Sequence, residues 1–135
     1  MNSVKHVYTD GGREESDHAD ENQDCTVRAL SIISDTPYNQ AHSFLAALGR
    51  KEGRPFATYL AVGKIYNGKE FDTLRCPHSS VGRYISEHPT GNYILKISRH
   101  VFAVKDGVIF DRCSLDRLIR CPVKSVFFLK EVTPV

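Results

Sequence analysis

The spacing of apolar positions changes character along the chain, from a helical repeat in the first half to a strand repeat in the last third. In "CTVRALSIIS", residues 25–34, Val27, Leu30 and Ile33 fall on one face of a 3.6-residue repeat, flanked by Ala29 and Ile32. This predicts a helix with Asp24 as its N-cap. "SDTPYNQAHSFLAALGRK" predicts a second helix, capped by Asp35 or Thr36, with Pro37 in the first turn and Gly49 at the exit. Its apolar stripe is Tyr38, Ala41, Phe44, Leu45 and Leu48. "SSVGRYISEHP" predicts a short third helix, capped by Ser79 or Ser80 and stopped by Pro89. Between residues 50 and 79 the pattern is ambiguous, and "TYLAVGKIYNG" reads equally as a helix end or a strand.

From residue 92 onward, "NYILKIS", "HVFAVKDGVIFDR" and "VKSVFFLKEV" are rich in Val, Ile, Phe and Tyr, which favours strands. Asp106-Gly107 sits where a two-residue hairpin turn belongs. "SLDRLIR" reads as one helical turn before the last strand, and "KHVYT" as a short strand near the start. Helices first and an antiparallel sheet afterwards predict an α+β fold in a single domain spanning residues 1–135, with the two halves packed face to face. The segment from about residue 10 to 24, "DGGREESDHADENQD", has almost no apolar residue and reads as an acidic surface loop.

Charge sharpens that picture. Residues 1–24 carry seven acids against Lys5 and Arg13, a net −5, so the rest of the chain carries +7 of the overall +2. A basic body suits nucleic acid or an acidic protein surface. The basic residues are scattered, however, and no aromatic and basic cluster forms a base-stacking platform, so nucleic acid is not the expected partner. The chain is 41% hydrophobic, with no apolar run of membrane-spanning length and no apolar core of a secretory signal at its start. A cytoplasmic protein is the expectation, and with it free thiols at Cys25, Cys76, Cys113 and Cys121 in place of disulfides. Cys76, His78, Cys113 and Cys121 lack a Cys-x-x-Cys pair, so no metal or other cofactor is expected.

Cys25 stands at the seam between the acidic loop and the first helix, where unpaired N–H groups and the positive end of the helix dipole favour a thiolate. A nucleophilic cysteine needs an imidazole to take its proton, and the imidazole needs a partner for its other nitrogen. Hairpin register supplies both. With Asp106 and Gly107 as the turn, Lys105 faces Val108 and Phe102 faces Asp111. His100 shares a side of the sheet with Phe102, and hence with Asp111. On an apolar, helix-facing surface shared with Val104 and Ile109, such a pair is costly unless its members partner each other or a group across the interface. Taken singly, a strand histidine is more often structural, a lone cysteine is a small buried hydrophobe, and Asp111 suits a cap for "CSLDRLIR". His42, His78 and His88 are rival bases. The adjacent Asp24 carboxylate works against a thiolate.

"DCTVRAL" and "GNYILKISRHVFAVKDGVIFD" together resemble the papain-like cysteine peptidase superfamily, in particular its short single-domain members from bacteria and phages. The likeness covers most of residues 22–112. It implies a papain-like fold in which the nucleophile opens the first long helix, the base opens a His-x-Phe-Ala-Val strand and the third residue follows the hairpin. Those positions are Cys25, His100 and Asp111. The implied function is a thiol hydrolase acting on a protein or peptide substrate at an amide or isopeptide bond. Longer relatives place an oxyanion glutamine several residues before the nucleophile. Ala19 occupies that spacing here, which leaves Gln23 and Asn22 as the side-chain candidates beside the Cys25 N–H. The chain also lacks a tryptophan after the cysteine and has Arg99 where short relatives often have glycine; Arg99 suits an acidic substrate. Two other readings stand beside the peptidase. One is a cell-wall amidase or endopeptidase of the same superfamily. The other is a catalytically silent papain-like binder, a phage or mobile-element factor acting on a host protein through the acidic loop.

Overall fold

The computed structural model describes residues 4–74 and 78–132. Cys76, one of the residues weighed above as a metal ligand, lies outside them. The helices are α1 (Cys25–Ser34), α2 (Tyr38–Ala47), α3 (Val81–Glu87) and the single turn α4 (Leu115–Leu118). The strands are β1 (Lys5–Tyr8), β2 (Ile65–Tyr66), β3 (Lys69–Leu74), β4 (Asn92–Ile97), β5 (His100–Lys105), β6 (Val108–Asp111) and β7 (Ser125–Glu131). Short 3-10 turns occupy Arg13–Glu15 and Thr58–Ala61. Among the described residues the strands form one open, seven-stranded sheet in the order β1-β6-β5-β4-β7-β3-β2. The fold is therefore α+β.

The hairpin register is as the turn chemistry predicts, with Lys105 opposite Val108 and Val104 opposite Ile109. Asp106 (φ 47°) and Gly107 (φ 80°) both take positive φ, the demand of a tight turn that matches strand twist. The sheet differs from the expectation in two ways. It is mixed, because β1 runs parallel to β6 and pairs Tyr8 with Asp111. It also extends beyond the strands expected from residue 92 onward, since β3 pairs with β7 along its whole length. "KEFDTL" escapes the strand pattern because only Phe71 in it is buried.

The helices cover both faces of the sheet. Val27, Ala29, Leu30 and Ile33 of α1 pack with Tyr38, Ala41 and Leu45 of α2 against Ile94, Val101, Ala103 and Phe127. On the opposite face, Val81, Tyr84 and Ile85 of α3 and Leu118 of α4 cover Tyr93, Leu95, Phe102, Val104, Ile109 and Val126. The central strands β4 and β5 are thus apolar at nearly every position, as strands buried on both sides must be. One expectation is corrected here. The face that carries Phe102, Val104 and Ile109 meets α3 and α4, while α1 lies across the other face. The helix ends also differ: α2 starts after Pro37 without a side-chain cap, and Asp35 is instead the left-handed residue (φ 54°) that ends α1. Ser80 does cap α3, accepting from Arg83 N–H at 3.2 Å. No helix among the described residues is long and apolar enough to cross a membrane.

Candidate active site

Cys25 is the first residue of α1, half-buried at the end of the sheet. The first backbone bond of the helix runs from Arg28 N–H to Asp24 O at 3.0 Å, so the N–H groups of the opening turn point outward from the sulfur's end of the helix. His100 opens β5 directly after Arg99, a left-handed residue (φ 62°) in the β4–β5 turn. From this end position, its ring meets both the neighbouring strand and the start of α1. Lying at the strand's first residue removes the restriction that alternation would impose further along it.

His100 Nε2 and Asp111 Oδ2 are 2.8 Å apart, and Asp111 is buried. The other carboxylate interactions are the Cys113 backbone N–H at 3.1 Å and the Arg28 guanidinium at 3.4 Å. β1 closes over this end, with Thr9 N–H donating to the Asp111 carbonyl at 3.2 Å. With Nε2 committed to Asp111, Nδ1 is the nitrogen left for the thiol.

The ionisation of the three groups is coupled. Burial pushes the Cys25 thiol up. Hydrogen bonds from His100 and the Val101 N–H, with the charges of His100 and Arg28, outweigh it and hold the thiol below its ordinary range. Burial lowers His100, but hydrogen bonds to Asp111 and Cys25 and their charges raise it to about 9. Asp111 feels burial in the upward direction, and the bonds to His100 and Cys113 N–H, with the His100 and Arg28 charges, bring it below the usual carboxylate range. These shifts favour a thiolate–imidazolium pair held by a carboxylate.

The segment leading into Cys25 is not a free surface loop. Two of its seven acids are buried. Glu21 accepts from Arg50 at 2.9 Å and from Gly53 N–H at 2.6 Å, and lies 2.7 Å from His42 Nε2. Burial pushes Glu21 up, but these bonds pull it down to about 2. Arg50 also binds the carbonyls of Asn22 and Gln23 at 3.1 and 3.4 Å. Asp24 is not a side-chain cap: its carboxylate accepts from Arg13 at 3.0 Å, Arg28 Nε at 3.2 Å and Tyr38 OH at 2.7 Å. Of these partners, the Asp24–Arg28 pair alone had a readable signal, its i,i+4 spacing on a helix. Arg13 lies in the same segment, and Arg50 and Tyr38 come from beyond it; none of the three stands at a spacing that signals the contact.

Asn22 and Gln23 are both exposed beside Cys25; their carbonyls are held by Arg50, and the Asn22 backbone N–H donates to Glu21 Oε1 at 3.1 Å, which leaves the side chains to project into solvent. Gln23 adopts φ 51°. They lie next to Cys25 in sequence, with the Cys25 N–H as the nearest backbone donor. The rival histidines are engaged elsewhere or stand apart. His42 is bound to Glu21 and stacked on His18 at 3.5 Å. His88 ends α3 with Nδ1 3.0 Å from Tyr84 O, and His78 is exposed before α3.

Two groups of metal-ligating side chains occur among the described residues, His100–Asp111–Cys113 and His18–His42–Glu52. In the first, His100 and Asp111 are bonded to each other, and burial together with the Asp111 charge pushes the Cys113 thiol up, toward its neutral form. In the second, the two imidazoles lie stacked within 12° of parallel, so their in-plane lone pairs do not converge on one ion. Cys25, Cys113 and Cys121 are free thiols.

Comparison with family models, curated proteins and solved structures finds no match to this chain.

Proposed function

We propose that this protein is a cysteine hydrolase on a papain-like plan, cleaving an amide or isopeptide bond of a protein or peptide substrate. The supporting observation is the convergence of Cys25, His100 and Asp111 from a helix start, a strand start and the far side of a hairpin, with ionisation shifts toward thiolate and imidazolium. In this reading the Cys25 sulfur attacks the substrate carbonyl carbon, and the carbonyl π electrons move to oxygen. The Cys25 N–H faces that oxyanion, with the side chain of Gln23 or Asn22 as a second donor. Collapse expels the amine, which takes its proton from His100 and leaves a thioester on Cys25. His100, now neutral, accepts a proton from water as the water attacks the thioester, and the acid is released with the thiolate restored. Asp111 holds the ring in the tautomer and orientation this requires.

The test uses a peptide or ubiquitin-like probe ending in a thiol-reactive electrophile. The expected result is covalent capture by the wild type and none by Cys25→Ala or His100→Ala. A folded wild-type chain that ignores a panel of such probes points to the silent binding protein on the same scaffold.

A further inference from the structure

Arg28 is the residue the proposed reaction leaves unused, although it lies one helical turn beyond Cys25 and touches both carboxylates of the site. Its Nε is 3.2 Å from Asp24 Oδ1, and its NH1 is 3.4 Å from Asp111 Oδ1. The side chain is 12% exposed, against 2% for Asp24 and 3% for Asp111, so three charges are held together in a nearly dry layer beneath the thiol. The backbone around it is tightly fitted. A Cβ on Gly11 would sit 3.1 Å from Arg28 Cα.

We propose that Arg28 is a positioning residue for the triad: its fork bridges Asp24 and Asp111, aims the second oxygen of Asp111 at His100, and cancels the carboxylate that precedes the nucleophile. The inference rests on the hydrolase reading above and extends it to a residue that touches neither substrate nor sulfur. The charge count supports it. Asp24 and Asp111 are two anions, and Arg13 and Arg28 are two cations. With these four balanced, the Cys25–His100 pair can ionise without a net buried charge, and the objection that Asp24 raises against a thiolate is met.

The charged and titratable groups facing this layer come from every element around it. They are His100 from β5, Cys113 after β6, Arg13 from the 3-10 turn, Tyr38 from α2, and Arg112, which bonds Tyr8 of β1 and feels the charges of Asp24 and Asp10. A lysine at position 28 would supply the charge but not two separate planar donors, which is why the fork can be told apart from the charge.

The readout is the rate of Cys25 alkylation by iodoacetamide across pH 5–10, followed by mass spectrometry, with Cys121 as the internal reference, because Cys113 itself feels the Arg28 charge. It needs no substrate. Arg28→Met is expected to slow Cys25 alkylation at pH 6 by about tenfold and to move the inflection to higher pH, with the Cys121 reference unchanged. Arg28→Lys is expected to fall between that variant and the wild type. It also serves as the test if Arg28→Met does not fold, as judged by circular dichroism. A folded Arg28→Met or Arg28→Lys protein with the wild-type rate and inflection, in a protein where His100→Ala does slow the reaction, overturns the positioning role alone. A wild-type Cys25 that reacts like an ordinary thiol, with no effect of His100→Ala, overturns the hydrolase reading beneath it.

Discussion

His100 and Asp111 are separated by a tight hairpin in sequence and by 2.8 Å in space. The turn at Asp106-Gly107 fixes the register that makes them neighbours, and β1 buries the aspartate from the other side. An amide at position 111 would keep the shape and lose the charge that stabilises the imidazolium. Asp111→Asn is therefore expected to slow Cys25 alkylation near neutral pH by about tenfold while leaving the fold intact, measured by mass spectrometry and circular dichroism.

The raised His100 sets the alkaline limit of any hydrolysis. The imidazolium is fully present below its ordinary range and is lost as pH rises through about 9. The thiolate, held below the ordinary thiol range, sets the acid limit. The expected pH profile of turnover on a cleavable peptide is a bell whose alkaline limb falls at about 9. His100 also contributes stability in the same direction: its bonds favour the folded state at low pH and cease to do so above about 9.

Glu21 works with the opposite sign. Its folded carboxyl titrates at about 2, below the ordinary carboxylate range, so its contribution is complete above that range and fades as pH falls toward about 2. Removing its charge strands Arg50, which is nearly inaccessible at 1%. Glu21→Gln is expected to lower the unfolding free energy by about 3–5 kcal/mol at neutral pH, measured by urea denaturation, with the deficit shrinking in acid.

Gly11 and Gly68 have similar positive φ, 70° and 79°, but differ in surroundings. An added Cβ meets Arg28 at one and open space at the other. Gly11→Ala is expected to lose about 1 kcal/mol more than Gly68→Ala in thermal or urea unfolding, because only there does overpacking join backbone strain. The same substitution should also slow Cys25 alkylation if it displaces Arg28.

What the sequence made legible was local or periodic. The faces of α1 and α2, a serine cap at Ser79 or Ser80, and the hairpin register all follow from spacing and turn chemistry. The pairing of His100 with Asp111 follows from that register. Long-range relations were out of reach. Nothing in "KHVYT" states that it runs parallel to β6, and nothing in "KEFDTL", with one buried side chain, marks a strand paired over its length. The face assignment of α1 failed for a related reason. Alternation within β5 says which residues share a side, not which helix covers it. The acidic loop misled most. Composition treats Glu21 as a solvated charge and the reading of Asp24 stopped at an N-cap, whereas their partners Arg50, His42 and Tyr38 are supplied by segments that meet them only on folding.

The central claim is that folding brings an imidazole to the Cys25 sulfur and ionises it. The most direct measurement is the ultraviolet absorbance of the thiolate titrated with pH, taken as the difference between wild type and Cys25→Ala. The account predicts that Cys25 ionises below the ordinary thiol pKa of about 8.5 and that this lowering disappears in His100→Ala. A sulfur that ionises in the ordinary thiol range, unaffected by loss of the imidazole, contradicts it.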